Sequence, residues 1–143
     1  MIPAFDEATG LLPPGVHDTT WVEFVGRYGY TTQRLDLLAG LRVGLDALRV
    51  AGCRRVYING SFVAAKRAPG DFDVCWESVG VRADLLDPAL RTFANRRAAQ
   101  KAAFRGEFFP AEALANARRT YLDFFQSGRD GDPKGIIALD LGG

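Results

Sequence analysis

The sequence is poor in the residue types that build zinc sites, thiol chemistry and histidine catalysis. Its 143 residues include one histidine and two cysteines. Two cysteines alone form neither a zinc site nor a disulfide framework, so Cys53 and Cys75 are predicted to be buried free thiols. His17 lies in a stretch rich in proline and glycine, where a lone histidine is more often a hydrogen-bonding surface residue than a catalytic base.

The chain also lacks a long apolar run and a secretory signal. No stretch approaches the roughly 18 consecutive apolar residues that a membrane-spanning helix needs. Residues 1–10 carry Asp6 and Glu7 but no cationic stretch followed by an apolar one. We therefore expect a cytoplasmic protein with no membrane partner.

Length and composition are those of one folded domain. The hydrophobic fraction of 48% and the charged fraction of 24% are close to the averages of globular proteins. We predict a single domain over residues 1–143, in which residues 1–30 form an irregular N-terminal arm punctuated by proline and glycine. One short helix is expected within this arm, near residues 20–28, with a threonine as its cap.

Net charge is close to zero, but the charges are unevenly distributed. The formal net charge is +1, whereas residues 91–119 contain seven basic and two acidic residues and carry a net charge of +5. Such a segment can attract phosphates or nucleic acid. It can equally be the solvated face of a helix, and the sequence leaves both interpretations open.

Helical and strand patterns alternate along the chain. Leucines at every third or fourth position predict a helix over residues 31–51, closed by Gly52. We predict an α/β or α+β fold, with a small mixed sheet flanked by helices. The remaining expected elements are strands over 55–59, 72–76, 104–109 and 136–141, and helices over 88–103 and 111–125.

The most informative feature is a pair of aspartates in a strand pattern. Asp71 and Asp73 are two residues apart, so on a strand both carboxylates would leave the same face. Two adjacent like charges are unfavourable unless a cation lies between them. Hard oxygen ligands close together suit Mg²⁺ or Mn²⁺, so we predict a divalent metal site here.

A glycine and a serine end the strand that precedes this pair. Gly60 allows a backbone amide to approach an anion closely, and Ser61 adds a hydroxyl donor. Lys66 follows within about one helical turn of a short helix expected to begin at Phe62. Together these residues predict a triphosphate cradle beside the metal. The alternative is a plain turn followed by two solvated aspartates at a strand edge.

The spacing of these residues resembles a known pattern. Gly60-Ser61 followed by Asp71-x-Asp73 is similar to the Gly-Ser … Asp-x-Asp motif of the nucleotidyltransferase superfamily that includes DNA polymerase beta, and the closest likeness is to its minimal single-domain bacterial branch. Residues 12–17, 60–63, Lys66, Pro69 and 134–136 resemble a group of short uncharacterised bacterial and phage-borne proteins of that branch. The resemblance implies a nucleotidyltransferase-like fold and two metal ions held by the Asp-x-Asp pair and a third carboxylate.

Two positions depart from the superfamily pattern. Minimal members often carry Arg-Gly just after the Gly-Ser turn, whereas here the cation is Lys66, five residues after Ser61. No aspartate obviously supplies the third carboxylate. We favour Glu107, which opens a predicted strand after the helix that follows Asp73, over its competitor Asp140 in the last predicted strand.

Two functions follow as hypotheses. The first is a metal-dependent nucleotidyltransferase that moves a nucleoside monophosphate from an NTP, expected to be ATP, to a hydroxyl of protein, RNA or a small molecule. By analogy with minimal relatives, it would act in a toxin–antitoxin or phage-defence pair. The second is a catalytically silent module of the same fold that binds a partner protein or RNA.

Overall fold

The computed structural model describes residues 1–128 and 131–142, and its centre is a five-stranded mixed sheet. The strand order is β1-β5-β2-β3-β4. The β1–β5 and β3–β4 pairs are parallel, and β5–β2 and β2–β3 are antiparallel. The predicted small mixed sheet flanked by helices is confirmed. The strands are β1 (Gly15–Thr19), β2 (Arg55–Asn59), β3 (Asp73–Trp76), β4 (Glu107–Pro110) and β5 (Gly135–Asp140).

Four α-helices accompany the sheet in the described chain, and threonines cap three of them. They are α1 (Trp21–Tyr28), α2 (Thr32–Val50), α3 (Ala94–Phe104) and α4 (Tyr121–Phe125). Thr20, Thr31 and Thr120 each accept a hydrogen bond from a backbone N–H in the first turn of α1, α2 and α4. Residues 95–97 of α3 have left-handed backbone angles, so its regular part is the C-terminal portion.

Several predicted boundaries were wrong. The helix expected over 111–125 is confined to α4, because residues 111–120 form turns closed by Asn116, whose side chain accepts hydrogen bonds from the backbone N–H groups of Arg118 and Arg119. The helix expected over 88–103 divides into a 3₁₀ turn at Pro88–Arg91 and α3.

The N-terminal arm contains more structure than the sequence indicated. The predicted helix near residues 20–28 is confirmed as α1, but β1 lies before it and pairs with β5. This strand was missed because it lies at the sheet edge and its residues are mostly exposed, so it has no apolar alternation to reveal it. The segment between the expected helix over 111–125 and the expected strand over 136–141 includes residues 129–130, which lie outside the described residues.

The two faces of the sheet differ in what covers them. One face carries Ile58, Val74 and Phe108, which pack with the leucines of α2 in the main core. The other face carries a smaller cluster that includes Tyr57 and Cys75, packed against residues of α4. Side chains alternate along a strand, so the second face also receives Asn59, Asp73 and Glu107. The short cover over this face leaves their end of the sheet accessible to ligands through a cleft.

None of the helices in the described ranges is both long enough and apolar enough to cross a bilayer.

Candidate functional site

Three polar residues form a row across neighbouring strands. Asn59 of β2 pairs with Asp73 of β3, and Asp73 pairs with Glu107 of β4. Neighbouring strands lie about 4.8 Å apart, and directly paired residues project to the same face. The sheet register therefore brings an amide and two carboxylates side by side. In sequence, the end of β2 and the start of β3 are 14 residues apart, and the end of β3 and the start of β4 are 31 residues apart.

Gly60 lies against the carboxylate of Asp73. A Cβ atom at this position would be 2.7 Å from Oδ2 of Asp73, and the φ angle of Gly60 is +81°. Both the close approach and the left-handed backbone require glycine. The sequence predicted that Gly60 lets a backbone amide approach a bound anion; in the structure the group close to Gly60 is the Asp73 carboxylate.

Burial and crowding act together on the two aspartates. Burial, together with the negative charges of Asp71 and Glu107, raises the pKa of Asp73 to about 7 against the opposing effect of Lys134 and Arg97. Burial also raises the pKa of Asp71, with a further increase from Glu107. The carboxylates are therefore close enough to repel one another. Such mutual repulsion is relieved by a bound cation.

Asp71 lies outside the strand that was expected to hold it. β3 begins at Asp73, so strand alternation does not set the direction of the Asp71 side chain. Asp71 instead lines a shallow pocket with Gly70, Lys101 and Arg105. The two aspartates influence each other electrostatically, and each lines a different pocket.

Glu107 is held by two cations. Arg97 Nε lies 2.6 Å from Oε2 of Glu107, and Lys101 Nζ lies 3.2 Å from Oε1. The Glu107 side chain is only 14% exposed, so these ion pairs are partly shielded from water. Within residues 1–128 and 131–142, no three His, Cys, Asp or Glu side chains converge closely enough to hold a metal ion. A closed three-carboxylate centre is therefore not formed in this arrangement.

The competitor Asp140 lies at the other end of the sheet. It pairs with Arg55, four residues before Asn59 on β2, and its carboxylate accepts a hydrogen bond from Arg55 Nη1 at 3.1 Å. Four residues of strand span roughly 13 Å. The Asp140 side chain is 78% exposed. Of the two candidates, Glu107 is the neighbour of Asp73 and Asp140 is not.

The loop after Gly60 is fastened by a buried arginine. Ser61 opens a 3₁₀ turn, Ser61–Val63, rather than an α-helix. Arg34 of α2 is fully buried and donates hydrogen bonds to the carbonyl oxygens of Phe62 at 2.8 Å and Lys66 at 2.5 Å. The side chain of Lys66 is exposed, and its charge lowers the pKa of Asp71. Sequence analysis missed Arg34, because its charge gave no sign that it would be buried in α2.

A cleft of about 390 Å³ opens over Asp73, and we call it the Asp73 cleft. It combines an acidic floor with cationic and aromatic walls. Gly60 and Asp73 are the predicted site residues that it contains, whereas Ser61, Lys66, Asp71 and Glu107 do not line it. Its lining residues are Asn59, Gly60, Asp73, Arg119, Phe124, Phe125, Ser127, Gly128, Gly131 and Lys134.

Asn59 is the functional candidate that sequence analysis missed. It is fully buried, and neither its Oδ1 nor its Nδ2 has a hydrogen-bond partner among residues 1–128 and 131–142. The available signal was its position as the last residue of a predicted strand, immediately before Gly60-Ser61. The oxygen donors that the cleft presents on its strands, the Asp73 carboxylate and the unpartnered Asn59 amide, are of the type that hard divalent cations prefer.

The fold and the cleft define a mixed α/β protein with an acidic site at one end of its sheet. The chain belongs to the family described as "Family of unknown function (DUF6932)", whose model matches residues 3–140. No curated protein and no solved structure matches the chain.

Proposed function

We propose that the protein is a metal-dependent nucleotidyltransferase. It moves a nucleoside monophosphate from an NTP, with ATP as the expected nucleotide, to a hydroxyl of protein, RNA or a small molecule and releases pyrophosphate. The observation that carries this proposal is the half-buried Asp73 carboxylate, which lies against Gly60 at the floor of a cleft and within electrostatic range of Asp71 and Glu107. The resemblance of Gly60-Ser61 and Asp71-x-Asp73 to the nucleotidyltransferase motif adds support.

Asp71 and Asp73 are the residues that would hold Mg²⁺ or Mn²⁺, with Glu107 as the third carboxylate that the resemblance implies. The ion would supply positive charge against the nucleotide phosphates. The residues of the chain would then bind and orient the nucleotide. Gly60 and Ser61 offer the backbone and hydroxyl donors of the predicted phosphate cradle.

Charge and shape of the Asp73 cleft support an anionic ligand held near a cation. Arg119 and Lys134 give the walls a positive charge opposite the acidic floor. Phe124 and Phe125 provide apolar area that can exclude water or contact a base. Lys66, whose charge acts on Asp71, lies on a loop that Arg34 fixes, so we assign Lys66 to phosphate binding.

A specific observation also favours the second function, a catalytically silent module that binds a partner protein or RNA. Glu107 is engaged by Arg97 and Lys101, so the third carboxylate is neutralised by residues of the chain itself. In this case the basic segment 91–119 would contact the partner. A toxin–antitoxin or phage-defence setting and a cytoplasmic location remain proposals that rest on the resemblance and on the sequence.

Transfer of label from α-labelled NTPs tests the two functions against each other. The protein is incubated with each labelled NTP and Mg²⁺, together with the product of the neighbouring gene and with total RNA. The nucleotidyltransferase proposal expects label on one acceptor and none with the Asp71→Asn/Asp73→Asn variant. Absence of transfer with every acceptor, together with binding of RNA or a partner by that variant as well as by the wild type, would support the silent module.

A further inference from the structure

We propose that the amide oxygen of Asn59 binds the divalent cation together with Asp73. The inference rests on the proposed function in that it assumes a metal at this site. It assigns the metal centre a neutral ligand from β2, on the side of Asp73 opposite to Glu107.

Burial of Asn59 without a partner is the first observation. Its side chain has 0% exposure, and both polar atoms of its amide lack a hydrogen bond within the described ranges 1–128 and 131–142. Burying an amide without a hydrogen bond costs free energy, so most such groups have a partner. A ligand that enters from the Asp73 cleft, which Asn59 lines, would supply the partner.

Neighbouring polar groups do not meet this need. Tyr57, two residues earlier on the same face, donates its hydroxyl hydrogen to Oε1 of Glu77 at 2.5 Å. Cys75, two residues after Asp73 on that face, is a buried free thiol within the apolar cluster. Asp73 is the paired neighbour of Asn59, yet no hydrogen bond joins the two side chains among the described residues. The amide is therefore available to a ligand.

The negative charge immediately beside Asn59 favours a cation as the ligand of its amide. Asp73 lies beside Asn59, and Asp71 and Glu107 add negative charge that acts on Asp73. A phosphate oxygen placed against the Asn59 amide would face this negative charge, whereas a divalent cation would be attracted by it. An amide oxygen next to a carboxylate is a common pair of ligands for hard divalent cations.

Glu107 differs from Asn59 in the use of its oxygens. Its Oε2 accepts from Arg97 and its Oε1 from Lys101, so both oxygens have cationic partners. Asn59 has none. In the arrangement observed, the neutral amide is the donor that can complete the metal site without breaking an ion pair.

Binding of Mn²⁺ alone, followed by electron paramagnetic resonance of the free ion, tests the inference. Asn59→Asp replaces the amide with a carboxylate of the same size, so we expect Mn²⁺ to bind at least tenfold more tightly. Asn59→Leu removes the oxygen at similar volume, and we expect at least tenfold weaker binding. Ser127→Asp is the matched control, because it adds one negative charge to the same cleft away from β2, and we expect less than a threefold change.

A melting curve for each variant, with and without Mn²⁺, adds a second measurement. Asn59→Asp places two carboxylates side by side, so we expect it to melt below the wild type without metal and to gain more than the wild type when Mn²⁺ is added. If Asn59→Leu does not fold, Asn59→Asp with its Ser127→Asp control still decides the question.

Three results would overturn the inference. These are a folded Asn59→Leu variant that binds Mn²⁺ as the wild type does, an Asn59→Asp variant that binds it no more tightly than Ser127→Asp, and a wild type that binds no Mn²⁺. The last result also removes the metal dependence of the proposed function. If label transfer depends on Mg²⁺ but is unchanged by substitution of Asn59, the proposed function holds and the inference fails. If the variants show the expected pattern of Mn²⁺ binding but no nucleotide is transferred, the inference holds and the proposed function fails.

Discussion

The two ends of β2 differ in how the charges of the nearby carboxylates are neutralised. At its first residue, Arg55 lies 2.7 Å from Asp18, 3.1 Å from Asp140 and 3.9 Å from Glu77, so one cation serves three carboxylates. At its last residue, Asn59 brings no charge to Asp73, and no ion pair to Asp73 is formed within the described part of the chain. We call the Arg55 end of β2 complete, because direct ion pairs neutralise its carboxylates. We call the Asp73 end incomplete, because the cations that act on Asp73 form no ion pair with it within the described residues.

This difference distinguishes carboxylates that are already ion-paired within the fold from carboxylates that a bound ligand would neutralise. Exposed pairs such as Arg55–Asp140 contribute little to stability, but they leave no charge unmatched. Buried carboxylates that repel one another reduce stability, and such arrangements are concentrated at functional sites. Variants at the two ends of β2 should therefore have opposite effects.

The largest expected effect is on catalysis. Asp73→Asn keeps the size of the side chain and removes the charge at the floor of the Asp73 cleft. We expect nucleotide transfer to fall at least 1,000-fold, about 4 kcal/mol in the activation free energy. The same substitution at Asp140, at the complete end of β2, should leave transfer unchanged. Equal losses at both positions, measured with α-labelled NTP, would contradict the assignment.

The next effect is on stability without metal. Asp71→Asn/Asp73→Asn removes two repelling charges, so the double variant should melt at or above the wild-type temperature at pH 8, with a gain of about 2 kcal/mol. Asp140→Asn should lose a fraction of 1 kcal/mol, because it breaks an exposed ion pair. Thermal unfolding in the presence of a chelator measures both. An unfolded double variant would show that the aspartates are structural.

A smaller effect concerns pH. The pKa of Asp73 is raised from 3.8 to about 7 in the folded protein, so between about pH 4 and pH 7 the folded state holds more protons than the unfolded state. Stability contributed by this group therefore falls as the pH rises. We expect the wild type to lose about 1 kcal/mol between pH 6 and pH 7 relative to Asp73→Asn. Parallel pH profiles of the two proteins would show that Asp73 ionises normally.

The smallest effect concerns nucleotide affinity. Lys66 is exposed on the loop after Gly60, and it can contact phosphates equally in the ground state and the transition state. Lys66→Ala should raise the apparent KM for NTP about fivefold, roughly 1 kcal/mol, and leave the maximal rate nearly intact. Arg67→Ala, at the adjacent exposed cation, is the matched control. A large fall in rate at saturating NTP would assign Lys66 to the transition state instead.

Much of the fold could be predicted because its signals are local. The leucine stripe of α2 and the β-rich run of β2 are each contained in one segment, and both were confirmed within one or two residues. The strand β1 could not be found this way, since its partner β5 lies more than 100 residues away and its own residues are mostly exposed. The helix expected over 111–120 does not form, because the Asn116 side chain accepts hydrogen bonds from backbone N–H groups that follow it.

The residues of the candidate site also divide into those with a local sequence signal and those without one. Gly60 and Asp73 form a local pattern, and their closeness was expected from the sequence. Asn59 and Arg34 become informative only through the tertiary structure. It buries Asn59 without a hydrogen-bond partner among the described residues, and it places Arg34 within hydrogen-bond distance of four carbonyl oxygens. The choice between Glu107 and Asp140 depended on strand order, and sequence favoured the residue that the sheet places beside Asp73.

The central claim is that the incomplete end of β2 binds NTP through a divalent cation. Thermal unfolding with ATP, in the presence and absence of Mg²⁺, tests it most directly. With free ATP at about ten times the Kd, the wild type and Asp140→Asn should each be stabilised by about 1.4 kcal/mol only when Mg²⁺ is present, and Asp73→Asn should show no such gain. Stabilisation by ATP that is independent of Mg²⁺, or that persists in Asp73→Asn, would contradict the account.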